Sequence, residues 1–160
     1  MADIKQEYGA TTAITITLNA LTDDALREST AVDNGTTKFM DAQVQVKIET
    51  HVTSTPAGEK DVLIFAYGSA DDGTSYSGNA SGADAAYGAA EPQNIGNLKQ
   101  IGRIEVVTEN LIYESDLMSI ASAFGGKLPE DWGIVVMNRT GFALGAANCS
   151  AFFQGIYATG

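Results

Sequence analysis

The residues that could carry out acid–base or nucleophilic chemistry are few in this chain. His51 is the only histidine and Cys149 the only cysteine, so a Ser-His-Asp triad or a Cys-His dyad would have to include His51. His51 follows Glu49 and Thr50 at the end of a segment with alternating apolar residues, where a solvated polar side chain is the ordinary outcome. One histidine and one cysteine also fall short of a structural zinc site. We expect no enzymatic activity, no catalytic residues and no cofactor.

The segment FGGKLP, residues 124–129, comes nearest to a phosphate-binding loop. Ala121 stands where that motif requires its first glycine, and Leu128 occupies the position of the Ser or Thr that binds magnesium. The motif fails at both positions. We predict a structural corner here instead of a nucleotide site.

Four residues in and after this corner are predicted to define the fold: Gly125, Gly126, Pro129 and Trp132. The two glycines tolerate the positive φ of a tight turn, and the proline makes the turn rigid. Trp132 begins an unbroken apolar strand, which favours a place in the core, where a large side chain contributes roughly 1.5–3 kcal/mol. The alternative is an aromatic sugar-binding platform that also includes Tyr67, Phe152 and Tyr157.

The acidic residues form no recognisable calcium or glycosidase motif. Asp71 and Asp72, with Asp84 further along, lack the spacing of the Asp-x-Asp-x-Asp-Gly calcium loop. The adjacent acidic pairs at 23–24 and 130–131 would point to opposite faces of a strand. A glycosidase would therefore need carboxylates from distant segments. We expect a solvated acidic loop and no metal site.

Composition narrows the class of partner. Twenty acidic and nine basic residues give a formal net charge of -11 over 160 residues. A general nucleic-acid binder needs a basic surface to displace counterions from phosphates, and anionic membranes select basic proteins for the same reason. No apolar run approaches the roughly 18 residues of a membrane-spanning helix, and the N-terminus lacks the apolar core of a signal peptide. We expect synthesis in the cytoplasm and neither nucleic acid nor membrane as partner.

Hydrophobic periodicity predicts a β-protein. Residues 40–48 alternate between apolar and polar side chains, the pattern of a strand with one buried face. Residues 61–69 are almost continuously apolar, which favours a strand covered on both faces. Strands are predicted at 11–19, 27–32, 38–50, 61–69, 98–107, 110–116, 132–138, 142–144 and 150–158, with 117–124 either helical or extended. Several of these nine ranges are short, and we expect about eight strands in a single antiparallel β-sandwich or barrel over residues 11–160, for which a jelly roll fits best.

The first ten residues are predicted to be a flexible arm. They are short and mostly polar, and beyond Met1 only Ile4 and Tyr8 carry sizeable apolar surface. Such arms are usually disordered unless they dock on a partner. Ile4 and Tyr8 are therefore our candidate contacts to a partner.

A long loop is predicted over residues 71–94. It consists mostly of small and polar residues, has no lysine or arginine, and contains Tyr76 and Tyr87 as its only large side chains. Loops of this length are uncommon in compact domains and are usually functional or mobile. We expect Asp71, Asp72, Tyr76 and Tyr87 to lie at a subunit interface or on an outward-projecting loop.

Several segments together resemble a known group of structural proteins. These segments are RESTAVDN (27–34), FMDAQVQVKI (39–48), AYGSADDGTSYS (66–77), SIASAFGGKLPEDWGIVVMNRTGFAL (119–144) and NCSAFFQGIYA (148–158). They resemble the capsid decoration, or cement, proteins of tailed bacteriophages that have a jelly-roll fold. The similarity spans most of the chain from Arg27 onward and carries little of the N-terminal arm.

The resemblance implies a structural virion protein. Such a protein binds the outer surface of the assembled head through the major capsid protein, often as a homotrimer, and reinforces the capsid against packaged DNA. An acidic surface suits the outside of a capsid better than its DNA-filled interior. Two alternatives stay open: a phage tail or baseplate component, and a carbohydrate-binding β-sandwich module.

Overall fold

The computed structural model describes residues 4–36, 38–88 and 92–160, which form two six-stranded antiparallel sheets packed as a β-sandwich. The strands are, in chain order, β1 (Lys5–Tyr8), β2 (Thr12–Ile14), β3 (Leu26–Glu28), β4 (Val32–Asp33), β5 (Asp41–Glu49), β6 (Asp61–Ser69), β7 (Ala85–Ala86), β8 (Lys99–Glu105), β9 (Ile112–Glu114), β10 (Met118–Ser119), β11 (Asp131–Arg139) and β12 (Ser150–Thr159). One short helix, α1 (Ile120–Ala123), and two 3-10 turns, Ser77–Asn79 and Pro92–Asn97, complete the secondary structure of these ranges.

Each sheet has two long strands at its centre. In sheet A, β12 and β5 pair with each other; β1 and β2 lie along the free side of β12, and β9 and β10 along the free side of β5. In sheet B, β11 pairs with β6; β3 and β4 lie along the other side of β11, with β7 beyond β3 and β8 beyond β6. The predicted antiparallel β-sandwich is confirmed, while its jelly-roll connectivity stays a prediction.

The main core lies between the two sheets. On β5, the inward residues from Ala42 to Ile48 are buried and alternate with partly exposed polar residues, as the sequence predicts. Trp132 on β11 is fully buried and meets Phe153 of β12 edge to face, with ring centroids 5.2 Å apart. Edge-to-face packing is a favoured arrangement of two aromatic rings. Trp132 is therefore a core residue, and it is not available for a sugar-binding platform.

A second apolar cluster lies on the outer face of sheet B. Strand β6 sends Ile64 into the main core, whereas Phe65 and Tyr67 project to the other side. There they pack against Tyr87 and Leu98, both buried, which come from the chain between β6 and β8. The prediction that residues 61–69 are covered on both faces is confirmed. The covering segment is the long loop, whose described residues 71–88 fold back on their own sheet and do not project outward.

Polar contacts attach this covering segment to sheet B. Glu28 is buried and accepts hydrogen bonds from the backbone N of Ser81 at 2.8 Å and from its Oγ at 2.6 Å. Arg27 donates to the Asp84 carboxylate, with Nε and Oδ1 2.6 Å apart. Buried carboxylates require such donors because an unpaired charge is costly in a dry site. The cover is thus part of the folded domain.

Three of the strands predicted from the sequence differ from those in the structure: one is shorter, one is divided in two and one is absent. The strand predicted at 11–19 is limited to β2, because the backbone N and Oγ1 of Thr17 donate to Asp84 and do not join a ladder. The strand predicted at 27–32 is divided into β3 and β4 at Ser29, whose Oγ accepts the Ile134 N–H. The strand predicted at 142–144 is wrong: the Phe142 carbonyl accepts side-chain hydrogen bonds from residues 138 and 140. With β1, β7 and β10, which the sequence did not assign as strands, twelve strands are present in the described ranges, in place of about eight.

The ambiguous segment 117–124 contains both structures. Its first part forms β10, and Ser119 then caps α1 by accepting a hydrogen bond from the Ser122 N–H. After the helix, Gly125 and Gly126 have φ values of 73° and 88°, in the left-handed region that favours glycine. Pro129 packs so closely on Gly68 that a Cβ added there would come within 2.8 Å of its ring. This corner joins α1 to β11.

Candidate interaction surface

The outer side of sheet A is left uncovered by the described part of the chain, in contrast to the outer side of sheet B. We call it the open face, and strand register defines its members. Directly opposite residues of an antiparallel pair project from the same side, and Gln45 projects outward, as do its neighbours Phe152 and Ala13. The open face comprises Ile4, Gln6, Tyr8, Thr11, Ala13, Asp41, Gln43, Gln45, Lys47, Glu49, Ile112, Glu114, Leu117, Ser119, Ser150, Phe152, Gln154, Ile156 and Ala158.

The centre of the open face carries no charge. Gln43, Gln45, Gln154 and Thr11 surround a shallow depression of about 90 Å³ that Leu117 and Phe152 also line. The charged residues lie toward the ends. At one end, Lys47 is directly opposite Glu114. In a chain with a net charge of -11, an uncharged centre of this kind favours contact with another surface because little charge must be desolvated.

Apolar side chains stand exposed along the same face. Leu117 is 64% exposed and Phe152 38% exposed, both beside the central depression. Toward the N-terminal end, Tyr8 is 55% and Ile4 82% exposed. Single exposed apolar residues are normal on soluble proteins, but several that share one face typically mark a contact surface. The open face is therefore our candidate interaction surface.

The described part of the N-terminal arm is an edge strand of sheet A. Strand β1 pairs with the end of β12, from Lys5 opposite Thr159 to Tyr8 opposite Ile156, and all four of its side chains are exposed. The Glu7 carboxylate accepts hydrogen bonds from the hydroxyls of Tyr157 and Thr159 at 3.2 and 3.0 Å. Flexibility of residues 1–10 stays a prediction, and residues 1–3 lie outside the described residues. The arm places Ile4 and Tyr8 on the open face.

The acidic loop residues are held by local hydrogen bonds. Asp71 accepts from Ser75, through both Oγ and the backbone N, and from the Ser69 hydroxyl. The Ser75 side chain first, and then Ser69, lower the pKa of Asp71 to about 2. Tyr76 meets the buried Tyr67 ring edge to face at 5.3 Å, and Tyr87 is buried, contrary to the expected exposure. A subunit contact at this loop stays a prediction.

Like charges gather where β4 meets β11. Asp131 lies directly opposite Asp33. Burial first, and then the charges of Asp33, Asp72 and Glu130, raise the pKa of Asp131. Among the residues that the structure describes, no three His, Cys, Asp or Glu side chains are grouped so as to hold a metal ion.

The two residues considered first for chemistry occupy ordinary positions. His51 accepts a hydrogen bond from the Thr53 N–H at Nδ1, and its ring centroid lies 5.9 Å from that of Phe142. Cys149 is half-buried, and its Sγ accepts the Glu49 N–H. Burial raises the pKa of the Cys149 thiol above its usual range, which disfavours the reactive thiolate.

A second group of exposed apolar residues lies at one end of the sandwich. Val52, Val107 and Leu111 are exposed on two loops, which are joined by hydrogen bonds between Thr50 and the carbonyls of Thr108 and Leu111. Glu109 lies between Val107 and Leu111 in the sequence, and its carboxylate accepts a hydrogen bond from the Thr55 hydroxyl on the other loop. We use this end as a comparison surface for the open face.

Comparisons of the chain with models of protein families, with curated proteins and with solved structures return no match. Helices long and apolar enough to cross a membrane are absent from the ranges that the structure describes. The resemblance to phage decoration proteins therefore stays a hypothesis, and the fold is what the structure adds to it.

Sequence reasoning missed Leu117 as a member of the open face, and it considered Phe152 only for a sugar-binding platform. In the pair Phe152-Phe153, consecutive strand residues must project to opposite sides, so one ring had to lie outside the core. Leu117 belonged to a segment whose secondary structure was ambiguous, and its direction follows only from the pairing of Met118 with Val44. The exposure of one ring of the Phe152-Phe153 pair could have been predicted from the sequence, and the direction of Leu117 could not.

Proposed function

We propose that this chain is a structural virion protein that binds the outer surface of a phage head and stabilises the capsid. The observation that carries the proposal is the open face: a broad sheet surface with an uncharged centre and exposed Leu117 and Phe152, in a strongly acidic protein. The sequence resemblance supplies the class of partner, the major capsid protein. The role is structural and not enzymatic, and the protein is located on the capsid surface.

The proposed contact combines a rigid and an extended part. Phe152 lies on the central strand β12, Leu117 directly precedes the edge strand β10, and the arm extends the same face through Tyr8 and Ile4. A stable interface buries on the order of 1,200–2,000 Å² in total, with a few apolar anchors at its centre. The acidic remainder of the surface keeps the protein soluble and away from DNA. The homotrimer that the resemblance implies is proposed for the capsid-bound protein, at local threefold positions of the head, and not for the free chain in solution.

The alternatives differ in what supports them. A tail or baseplate component would use the same open face on another part of the particle, so only its location separates it from a head protein. The sugar-binding module rests on an aromatic platform and on the acidic loop, but Trp132 and Tyr67 of that platform are both fully buried. No specific observation favours that module.

The experiment is cosedimentation of the purified chain with assembled phage heads that lack it. We expect the unaltered chain to sediment with the heads, and Leu117→Ser and Phe152→Ser each to weaken binding by about tenfold or more, as for central apolar anchors. Val107→Ser is the matched control. Val107 and Leu117 are almost equally exposed, at 63% and 64%, but Val107 lies at the end of the sandwich and not on the open face.

Three results would contradict the proposal. The first is that the chain binds no head at all, and the second is that mass spectrometry finds it absent from purified virions. Alternatively, Val107→Ser could weaken binding as much as Leu117→Ser, which would place the contact elsewhere. Deleting residues 1–10 should weaken binding and leave the circular dichroism spectrum of the sandwich in place.

A further inference from the structure

The free edge of β1 has a sequence that is complementary to itself. Residues 4–8 read Ile-Lys-Gln-Glu-Tyr. If two copies of this strand pair antiparallel about Gln6, Lys5 of one copy lies opposite Glu7 of the other, and Ile4 lies opposite Tyr8. The pairing joins opposite charges on one side of the sheet and apolar side chains on the other, and both combinations stabilise cross-strand pairs.

The backbone of β1 is oriented for this register. The Gly9 N–H donates to the Gly155 carbonyl of β12 at 2.8 Å. Because backbone groups of an extended strand alternate in direction, Glu7 and Lys5 also direct theirs toward β12. The backbone N–H and carbonyl groups at the free edge then belong to Gln6, Ile4 and Tyr8. A second strand centred on Gln6 can exchange hydrogen bonds with these groups.

We propose that the free edge of β1 pairs with β1 of a second copy of this chain, antiparallel and centred on Gln6. The twofold axis is perpendicular to sheet A, so the sheet continues from one copy into the next. Opposite residues of the pair stay on the same side. The open faces of both copies therefore point in one direction and form one larger surface, with Ile4 and Tyr8 at its centre.

The self-complementary sequence selects a second copy as the occupant, and two further features leave the free edge of β1 available to it. Its side chains are all exposed in the single chain, and Ile4 at 82% is the most exposed large apolar residue in the described ranges. An unpaired edge of this kind is normally protected in a folded protein. Five residues on each side bury less than a standard interface, so we expect a weak dimer with a Kd on the order of 100 µM.

Sedimentation velocity on the full chain, from micromolar to about millimolar concentration, tests the pairing first. We expect a monomer–dimer equilibrium. Lys5→Glu places like charges opposite each other at two symmetric positions and should weaken dimerisation by about tenfold. The double variant Lys5→Glu/Glu7→Lys restores opposite charges and keeps the net charge at -11, so it should recover dimerisation. A chain that stays monomeric to millimolar concentration, forms trimers, or dimerises equally well with Lys5→Glu overturns the proposal.

Cysteine cross-linking tests the register. In a Cys149→Ser background, Gln6→Cys places two thiols opposite each other at the axis, where Cα atoms of a hydrogen-bonded pair are about 5.5 Å apart and within disulfide range. Mild oxidation should give a covalent dimer. Ile4→Cys alone should not cross-link, but a mixture of Ile4→Cys and Tyr8→Cys chains should. Cross-linking of Ile4→Cys with itself, or none for Gln6→Cys, overturns the proposed register.

The dimer does not depend on the proposed function, because it needs no capsid. A chain that dimerises but does not bind heads supports the pairing and contradicts the capsid role. A chain that binds heads but forms no dimer supports the capsid role and contradicts the pairing of β1.

Discussion

The Glu28 carboxylate on β3 accepts two hydrogen bonds from Ser81, at 2.8 Å from the backbone N and 2.6 Å from Oγ, and both residues belong to the contact that holds the covering segment on sheet B. Glu28 is 3% exposed, although it is charged. The structure therefore connects the long loop to a strand 53 residues earlier in the chain.

We predict that Glu28→Ala loosens the cover. Hydrogen bonds to a charged group contribute about 1.5–3 kcal/mol each in mutational series, and two are lost, so the free energy of unfolding should fall by about 3 kcal/mol. Limited proteolysis should cut the variant between residues 71 and 98 faster than the unaltered chain. Glu114→Ala, which removes an exposed acid from the open face, is the control and should change neither. Equal cleavage of both variants would contradict this role of Glu28.

Much of the sandwich is predictable from the sequence, because its central strands carry their burial pattern locally. The alternation in β5 and the continuous apolar run of β6 each predict which sides are covered. The loop that covers β6 is not predictable in this way, since its attachment depends on Glu28 and Ser81, which are distant in sequence. The open face was missed for a similar reason: the direction of Leu117 is set by pairing with β5, which no local pattern specifies.

Acid should weaken the fold partly through Asp71. The Ser75 and Ser69 hydrogen bonds hold its folded-state pKa at about 2, below the ordinary value of 3.8. A carboxyl whose pKa is lowered by folding stabilises the fold above its unfolded pKa, and this contribution is lost as the pH falls from about 4 to 2. Asp71→Asn should therefore lower Tm at pH 6 and have a much smaller effect at pH 2. Thermal unfolding followed by circular dichroism measures both. An Asp71→Asn effect that does not change between pH 6 and pH 2 would oppose this assignment.

Replacing Asp131 should change the stability of the fold in the opposite direction from replacing Asp71. It faces Asp33 across the strand pair, and burial and the neighbouring acids raise its pKa. A raised carboxyl pKa means that the charged form destabilises the fold, and that this cost disappears as the pH falls through the folded pKa. Asp131→Asn should therefore stabilise the protein at pH 7 by about 0.5 kcal/mol, the scale of a like-charge cross-strand pair.

The control for Asp131→Asn is Asp116→Asn, which removes one negative charge ahead of β10 in the other sheet. Chemical unfolding at pH 7 should show a gain for the first variant and none for the second. An equal gain in both would mean that the overall charge of -11, and not the Asp33–Asp131 pair, is responsible. Asp33→Asn is less suitable, because the Asp33 carboxylate accepts the Gly35 N–H at 2.6 Å.

Gly133→Ala should be among the most destabilising single-methyl changes in sheet B. Gly133 is directly opposite Tyr67, and an added Cβ would overlap the tyrosine ring. The ring cannot move away easily, because Tyr67 is fully buried and its hydroxyl donates to the Ser29 carbonyl at 2.7 Å. Overpacking of this kind costs about 3 kcal/mol. Gly96→Ala, with no atom within 4 Å of the added Cβ, is the matched control and should stay within about 0.5 kcal/mol of the unaltered chain. Urea unfolding of both variants checks the difference, and a Gly133→Ala loss no larger than that of Gly96→Ala would show that the Tyr67 ring can shift without cost.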